Sequence, residues 1–235
     1  MSKRITRSIP NSLTCLNLFA GCVGCVLAFQ ANYGGALLCI LVSALFDFFD
    51  GFAARVLRAP SPIGKDLDSL ADDVSFGVVP SAVVFSLLRS AQWPEGWSCL
   101  TPYLPYLAFS ISVFSALRLA KFNIDTRQAH SFIGLPVPAN ALFWGSLGYS
   151  IHEQVASGGL HPMWLLVGAF ISSGLLVCEL PMFSLKLNNL TWHDNRRVYV
   201  FLIVCLPLLI GLRVLGIAAC MLWYIVLSFI LSRKR

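Results

Sequence analysis

Apolar runs close to twenty residues long recur along the whole chain, broken by short polar or Gly/Pro-bearing stretches. Runs of that length match the thickness of a bilayer core when wound as α-helix. They predict eight helices, at about 12–30, 34–56, 68–90, 103–123, 135–151, 162–181, 197–211 and 215–231. The alternating ten-residue segments of a membrane barrel are absent, so the expected fold is all-α and polytopic. "IPNSLTCLN" reads as the start of the first helix, with Pro10 in the first turn and Asn11 or Ser12 as its cap. "GLPVP" gives the fifth helix an irregular start. "GLRVLG" at 211–216 reads as a turn that separates the last two helices. No small-residue cleavage pattern follows the first apolar run, which is therefore read as a membrane helix.

Composition agrees with this pattern. Hydrophobic residues make up 57% of the 235 and charged residues 12%, and the mean hydropathy is +0.75. The basic residues add an orientation. Lys3, Arg4, Arg7, Arg55, Arg58, Lys65, Arg118, Lys121, Arg127, Lys186, Arg196, Arg197, Arg233, Lys234 and Arg235 all fall on one side of an eight-helix alternation. Of the 17 basic residues, Arg89 and Arg213 alone fall on the other. Cationic loops stay on the cytoplasmic side, so both termini are expected there. The net charge of +6 then reflects loop bias and anionic lipid rather than nucleic acid. Trp93, Trp97, Tyr103 and Trp164 near the opposite loops suit interfacial anchoring. The cysteines, including the "CVGC" pair at 22–25, lie mostly in apolar runs and read as small helix residues.

Against this background the acids are misplaced. Of 11 in the chain, Asp47, Asp50, Asp66, Asp68, Asp72 and Asp73 crowd into "FDFFDGFAARVLRAPSPIGKDLDSLADD" at 46–73. Asp47 and Asp50, three apart, share a helix face at the end of the second helix. Asp68 and Asp72, four apart, share one at the start of the third. A short connection makes the two helices antiparallel neighbours, so the four carboxylates converge at one cytoplasmic end. Such a group is costly beside hydrocarbon unless cations neutralise it. All-oxygen donors favour Mg²⁺ or Mn²⁺, ions that share their coordination with substrate phosphates; two of them would neutralise a pyrophosphate. Gly51, Ala54 and the neighbouring Ala53 leave room for close approach, Gly64 lies in the connection, and Arg55 could hold a phosphate. Asp66 and Asp73 fall outside this set, Asp66 as a solvated carboxylate.

The spacing Asp47-x-x-Asp50-Gly51-x-x-Ala54-Arg55, eight residues, Gly64, three residues, Asp68, three residues, Asp72 resembles the signature of the CDP-alcohol phosphotransferases at every fixed position. The resemblance implies a membrane enzyme that displaces CMP from a CDP-linked lipid with an alcohol, assisted by two divalent ions. By position it makes Asp47, Asp50, Asp68 and Asp72 metal ligands, with Asp72 also the general base. Gly51, Ala54, Arg55 and Gly64 become the nucleotide site. Asn11 and Thr14 match a Pro-Asn-x-x-Thr element that lies near the CDP moiety in similar proteins.

"SALRLAKFN" at 115–123, "SFIGLPVPAN" at 131–140 and "DSLADDVSFGVVPS" resemble the subgroup that uses CDP-diacylglycerol and L-serine. Residues 8–140 would then be the catalytic core, and 141–235 additional helices of a single membrane domain. Arg118 could receive the serine carboxylate, with Lys121 a turn further out and Asn123 binding serine or capping the helix. Snorkelling is the competing reading of Arg118, and ordinary loop charge that of Lys121. Glycerol 3-phosphate, inositol or its phosphate is the alternative acceptor; a carboxylate-based ion transporter is the alternative of another class. The resemblance further implies a homodimer. The expected location is the cytoplasmic membrane, and the basic residues put the site on its cytoplasmic side.

Overall fold

The computed structural model describes residues 3–58, 62–97, 99–124, 132–183 and 191–232. Arg127, Lys186 and Arg233 to Arg235, among the cations counted above, lie outside the described residues, as do residues 59–61 of the connection after the second helix. Among the described residues, eight helical rods stand where eight are expected. They are α1 (Lys3–Phe29), α2 (Tyr33–Val56), the compound rod of α3 (Pro62–Asp72) and α4 (Val79–Ser90), α5 (Ser110–Ile124), α6 (Val137–Ala156), α7 (Met163–Val177), α8 (Trp192–Leu212) and α9 (Leu215–Ser232). A 3₁₀ turn, Leu104–Phe109, leads into α5. Among the described residues, five stretches are long and apolar enough to cross a membrane: Ser8–Phe29, Tyr33–Val56, Ile63–Ser90, Leu104–Ile124 and Asn195–Leu212. Met163–Val177 and Leu215–Leu231 are shorter apolar helices.

The rod Ile63–Ser90 is the centre of the bundle. Its apolar window is 72% buried, against 22–33% for the other four. Phe76, Val79, Val83, Val84, Leu87 and Leu88 are fully enclosed within it. Around it pack α1, α2, α5 and α6, while α7 lies on α5, and α9 on α6 and α8. α6 carries Asn140, His152, Glu153 and Gln154, and it also buries Val137, Ala141 and Trp144 against these neighbours. A helix enclosed by others needs less apolar surface than one that faces lipid. Contacts rest on small residues, as helix pairs in lipid require. A Cβ on Gly21 of α1 would run into the Ser75 hydroxyl and lie 3.0 Å from its Cα. One on Gly148 of α6 would lie 2.5 Å from Val83.

Four features depart from the expectations. First, α1 begins well before Pro10, which sits inside it, and Ser12 donates to the Ser8 carbonyl 2.8 Å away. Pro10 and Ser12 therefore do not mark a helix start. Proline removes its own donor while the turns on either side continue. Second, α3 starts at Pro62, so Gly64 and Asp66 lie on the helix rather than in the connection. Proline at a first helical position is pre-set for that role.

Third, the central rod widens into a π-helical turn over Asp73–Val78, where the Val79 amide bonds the Val74 carbonyl. Pro80 supplies the reason: it has no N–H for the Phe76 carbonyl, and its ring crowds that turn. The extra residue rotates everything beyond Asp72 by about 100° relative to an unbroken helix. Fourth, Phe132–Ile133 and Pro181–Met182 pair as a short antiparallel ladder. Gly134 follows with φ +75, packed so that a Cβ would lie 2.6 Å from the Leu176 carbonyl, a conformation suited to glycine. The turn expected in "GLRVLG" is present, with Arg213 at φ 52 between α8 and α9.

Candidate active site

The acidic end of the α2–α3 hairpin lies against the N-terminal half of α1. Asp47, Asp50 and Asp68 each offer a carboxylate oxygen within 4.8 Å of the other two. Asp50 is buried, and Asp68 Oδ1 is enclosed without a hydrogen-bond donor. Asp72 is not one of these three, but it lies within electrostatic range of all of them. Asp47, Asp50, Asp68 and Asp72 lie close enough to repel one another.

These donors fit a divalent cation. They are hard oxygens, converging and mutually repulsive, and one buried oxygen has no proton to accept. Asp47, Asp50 and Asp68 would hold such an ion.

α1 supplies the donors that orient two of the carboxylates. Thr14 Oγ1 donates to Asp50 Oδ2 at 2.6 Å. The Pro10 carbonyl, at 3.1 Å, is the more distant acceptor for the same hydroxyl proton. Asn17 Nδ2 donates to Asp72 Oδ1 at 3.2 Å. Thr14 and Asn17 are both buried. Thr14 is expected near the nucleotide, and its partner Asp50 is new; Asn17 is not among the residues expected at the site. The available signal was the spacing of Asn11, Thr14 and Asn17, three polar residues at i, i+3 and i+6 along one face of an apolar helix.

The positions expected to hold a nucleotide flank the carboxylates. A Cβ on Gly51 would meet nothing within 4 Å, so the backbone there faces open space. Arg55 is exposed and donates Nε–H to the Gly51 carbonyl at 3.0 Å, which lays its stem back along α2. Ala54, Gly64 and Asn11 are half-buried. Asp66 is exposed, as a solvated carboxylate should be.

The three residues expected at an acceptor site have different surroundings. Arg118 is buried. Its Nη2 makes a long 3.5 Å contact with the Gly134 carbonyl, and its Nε has no partner. An enclosed guanidinium with an unused N–H can accept an anion. Lys121 is exposed. Asn123 Nδ2 donates to Ser69 Oγ at 2.8 Å, and Lys65 Nζ donates to the Asn123 carbonyl at 3.0 Å. Asn123 thus ties the end of α5 to α3, the helix of Asp68 and Asp72.

Known proteins are similar to this chain in sequence. A protein of Mycobacterium leprae named CDP-diacylglycerol–serine O-phosphatidyltransferase is 29% identical over 230 residues, covering 94% of this chain and 72% of its own. One of that name from Bacillus subtilis is 38% identical over 130 residues, 55% of this chain and 69% of its own. An archaetidylserine synthase of Methanothermobacter thermautotrophicus is 31% identical over 145 residues, 60% of this chain and 58% of its own. The family described as CDP-alcohol phosphatidyltransferase matches residues 7–180, which include the whole carboxylate cluster and Arg118. The chain belongs to the CDP-alcohol phosphatidyltransferase family.

Proposed function

We propose that this protein transfers the phosphatidyl group of CDP-diacylglycerol to the hydroxyl of L-serine, giving phosphatidylserine and CMP. The observation that carries the reaction type is the convergence of Asp47, Asp50 and Asp68 at one end of a membrane hairpin, beside the open backbone at Gly51. The acceptor rests on the names of the relatives, which specify serine for both bacterial and archaeal proteins, and on a buried Arg118 with an uncommitted Nε.

In this reading the pyrophosphate of the donor lipid lies against the carboxylate cluster, with its nucleotide along Gly51, Ala54, Arg55 and Gly64. Asn11 lines the nucleotide side. Thr14 acts through Asp50, which its hydroxyl holds in place. A bound divalent cation, Mg²⁺ or Mn²⁺, would neutralise the pyrophosphate and the departing phosphate. Two such ions, with Asp72 sharing one, match the family resemblance.

Asp72 takes the proton of the serine hydroxyl. The serine oxygen forms a bond to the lipid-side phosphorus, and the bond from that phosphorus to the CMP oxygen breaks. Arg55 stabilises the charge that CMP carries away. Arg118 receives the serine carboxylate, Lys121 adds positive charge towards the mouth, and Asn123 braces α5 beside the acceptor. The rate gain comes from alignment and charge neutralisation. The distribution of cations supports a cytoplasmic membrane location with both termini and the site on the cytoplasmic side. The resemblance supports a homodimer.

Membranes containing the protein, given CDP-diacylglycerol and each alcohol in turn, test the assignment. Serine should yield a new phospholipid and CMP. Product from glycerol 3-phosphate or an inositol, with none from serine, would overturn the acceptor. Absence of CMP release with every acceptor would overturn the reaction type.

A further inference from the structure

The carboxylates would be held by helices α2 and α3, yet the groups that orient two of them come from α1. Asn17 is the more informative of the pair. It is fully buried, and two of its polar groups serve different neighbours. The side chain donates from Nδ2 to Asp72 Oδ1. The backbone carbonyl accepts from Ser43 Oγ of α2 at 3.2 Å and from Ser75 Oγ of the π turn at 3.0 Å. A helix carbonyl that accepts two hydroxyls from two other helices fixes that point of α1 in three dimensions. The Asn17 amide is thereby set at a defined height beside Asp72. Contact between Gly21, one turn further on, and Ser75 presses the same elements together.

The orientation of the amide is fixed by chemistry. A carboxylate oxygen accepts, so Nδ2 must face Asp72 and Oδ1 must face away. Oδ1 is then enclosed with no donor. A buried amide oxygen left unpaired is unfavourable. An apolar residue of the same shape would avoid that cost and would pack as well. What asparagine adds here is the Nδ2 donor to Asp72.

We propose that Asn17 is a positioning residue for the transfer reaction, holding Asp72 by one carboxylate oxygen so that the other is presented to the acceptor hydroxyl. This rests on the role given to Asp72 above. Asn17 touches no reacting atom in this account; it acts through Asp72. The π turn contributes by placing Ser75 on the Asn17 carbonyl, so the widened segment after Asp72 and the donor to Asp72 belong to one assembly.

A double-mutant cycle on the full-length protein in detergent and CDP-diacylglycerol micelles tests this. Asn17→Leu keeps the approximate volume and removes the donor. Its kcat should fall by about 10-fold or more, with the KM for CDP-diacylglycerol and for serine within about twofold of wild type. Asn17→His, which restores a ring N–H near the same place, should recover part of the loss. In the Asp72→Asn background, Asn17→Leu should cost nothing further, because its partner no longer works as a base. Equal losses in both backgrounds would overturn the proposal, as would wild-type kcat in Asn17→Leu. A purely structural role would lower the melting temperature and leave Asn17→His no better than Asn17→Leu, which also overturns it. If Asn17→Leu does not fold, Asn17→His and Asn17→Ser complete the cycle. Near-wild-type turnover in Asp72→Asn would remove Asp72 from the reaction and so contradict the assignment on which Asn17 depends, a result distinct from failure at Asn17 alone.

Discussion

At the scale of single residues, the carboxylates and Gly51 have separable roles. Asp72→Asn should leave nucleotide affinity largely intact while kcat falls by about 10²- to 10⁴-fold; substrate titration and single-turnover rates measure the two effects. Gly51→Leu places a side chain where nothing lies within 4 Å. Melting temperature in detergent should therefore be unchanged or slightly higher, since glycine inside a helix is destabilising by roughly 0.5–1 kcal/mol. The KM for CDP-diacylglycerol should rise at least tenfold if the nucleotide needs that space. Arg118→Ala should raise the KM for serine more than the KM for the lipid. The four aspartates were legible because acids at helical spacing are rare in an apolar chain. Asn17 was not, because a single asparagine in a membrane helix gives no sign of which distant side chain it faces. The spacing of Asp68 and Asp72 placed both on one face. It could not reveal that the oxygens closest to one another belong to Asp47, Asp50 and Asp68, while Asp72 is held by α1.

Among the elements, the helices were legible from apolar length, but their ends and their irregularities were not. Pro10 sits within α1 and Pro62 opens α3, although the local sequence around both suits a helix start. Local preference allows either outcome, and packing decides. The π turn at Asp73–Val78 had a visible signal in Pro80, although an expectation of eight plain helices has no place for it. The ladder of Phe132–Ile133 with Pro181–Met182 joins segments nearly fifty residues apart, and residue patterns two positions long cannot announce such a pairing. The close approach of α1 to the π turn is testable. Gly21→Val would drive methyl groups into Ser75 and displace its hydrogen bond to the Asn17 carbonyl. Overpacking of this kind costs about 1–3 kcal/mol. The expected result is a lower melting temperature together with lower kcat, because the Asn17 anchor moves. An unchanged melting temperature would mean that α1 and the central rod are not pressed together as described.

For the whole molecule, the arrangement is a bundle in which the most buried rod carries two of the four acids at its end. The helices that surround that rod supply the remaining acids from α2, the orienting donors from α1 and the buried cation from α5. The β ladder and α7 hold the segment whose Gly134 carbonyl Arg118 contacts. α8 and α9 lie beyond the residues that the family description matches. In the function proposed above, this assembly couples a divalent cation at the carboxylates to displacement of CMP by serine. The most direct measurement is CMP release by purified protein supplied with CDP-diacylglycerol and serine, first stripped with EDTA and then titrated with Mg²⁺ or Mn²⁺. Negligible CMP is expected without metal. Either ion should restore release, with phosphatidylserine formed in equal amount to CMP, and neither should restore it in Asp68→Asn. Metal-independent turnover, or an Asp68→Asn protein as active as wild type, would contradict that function.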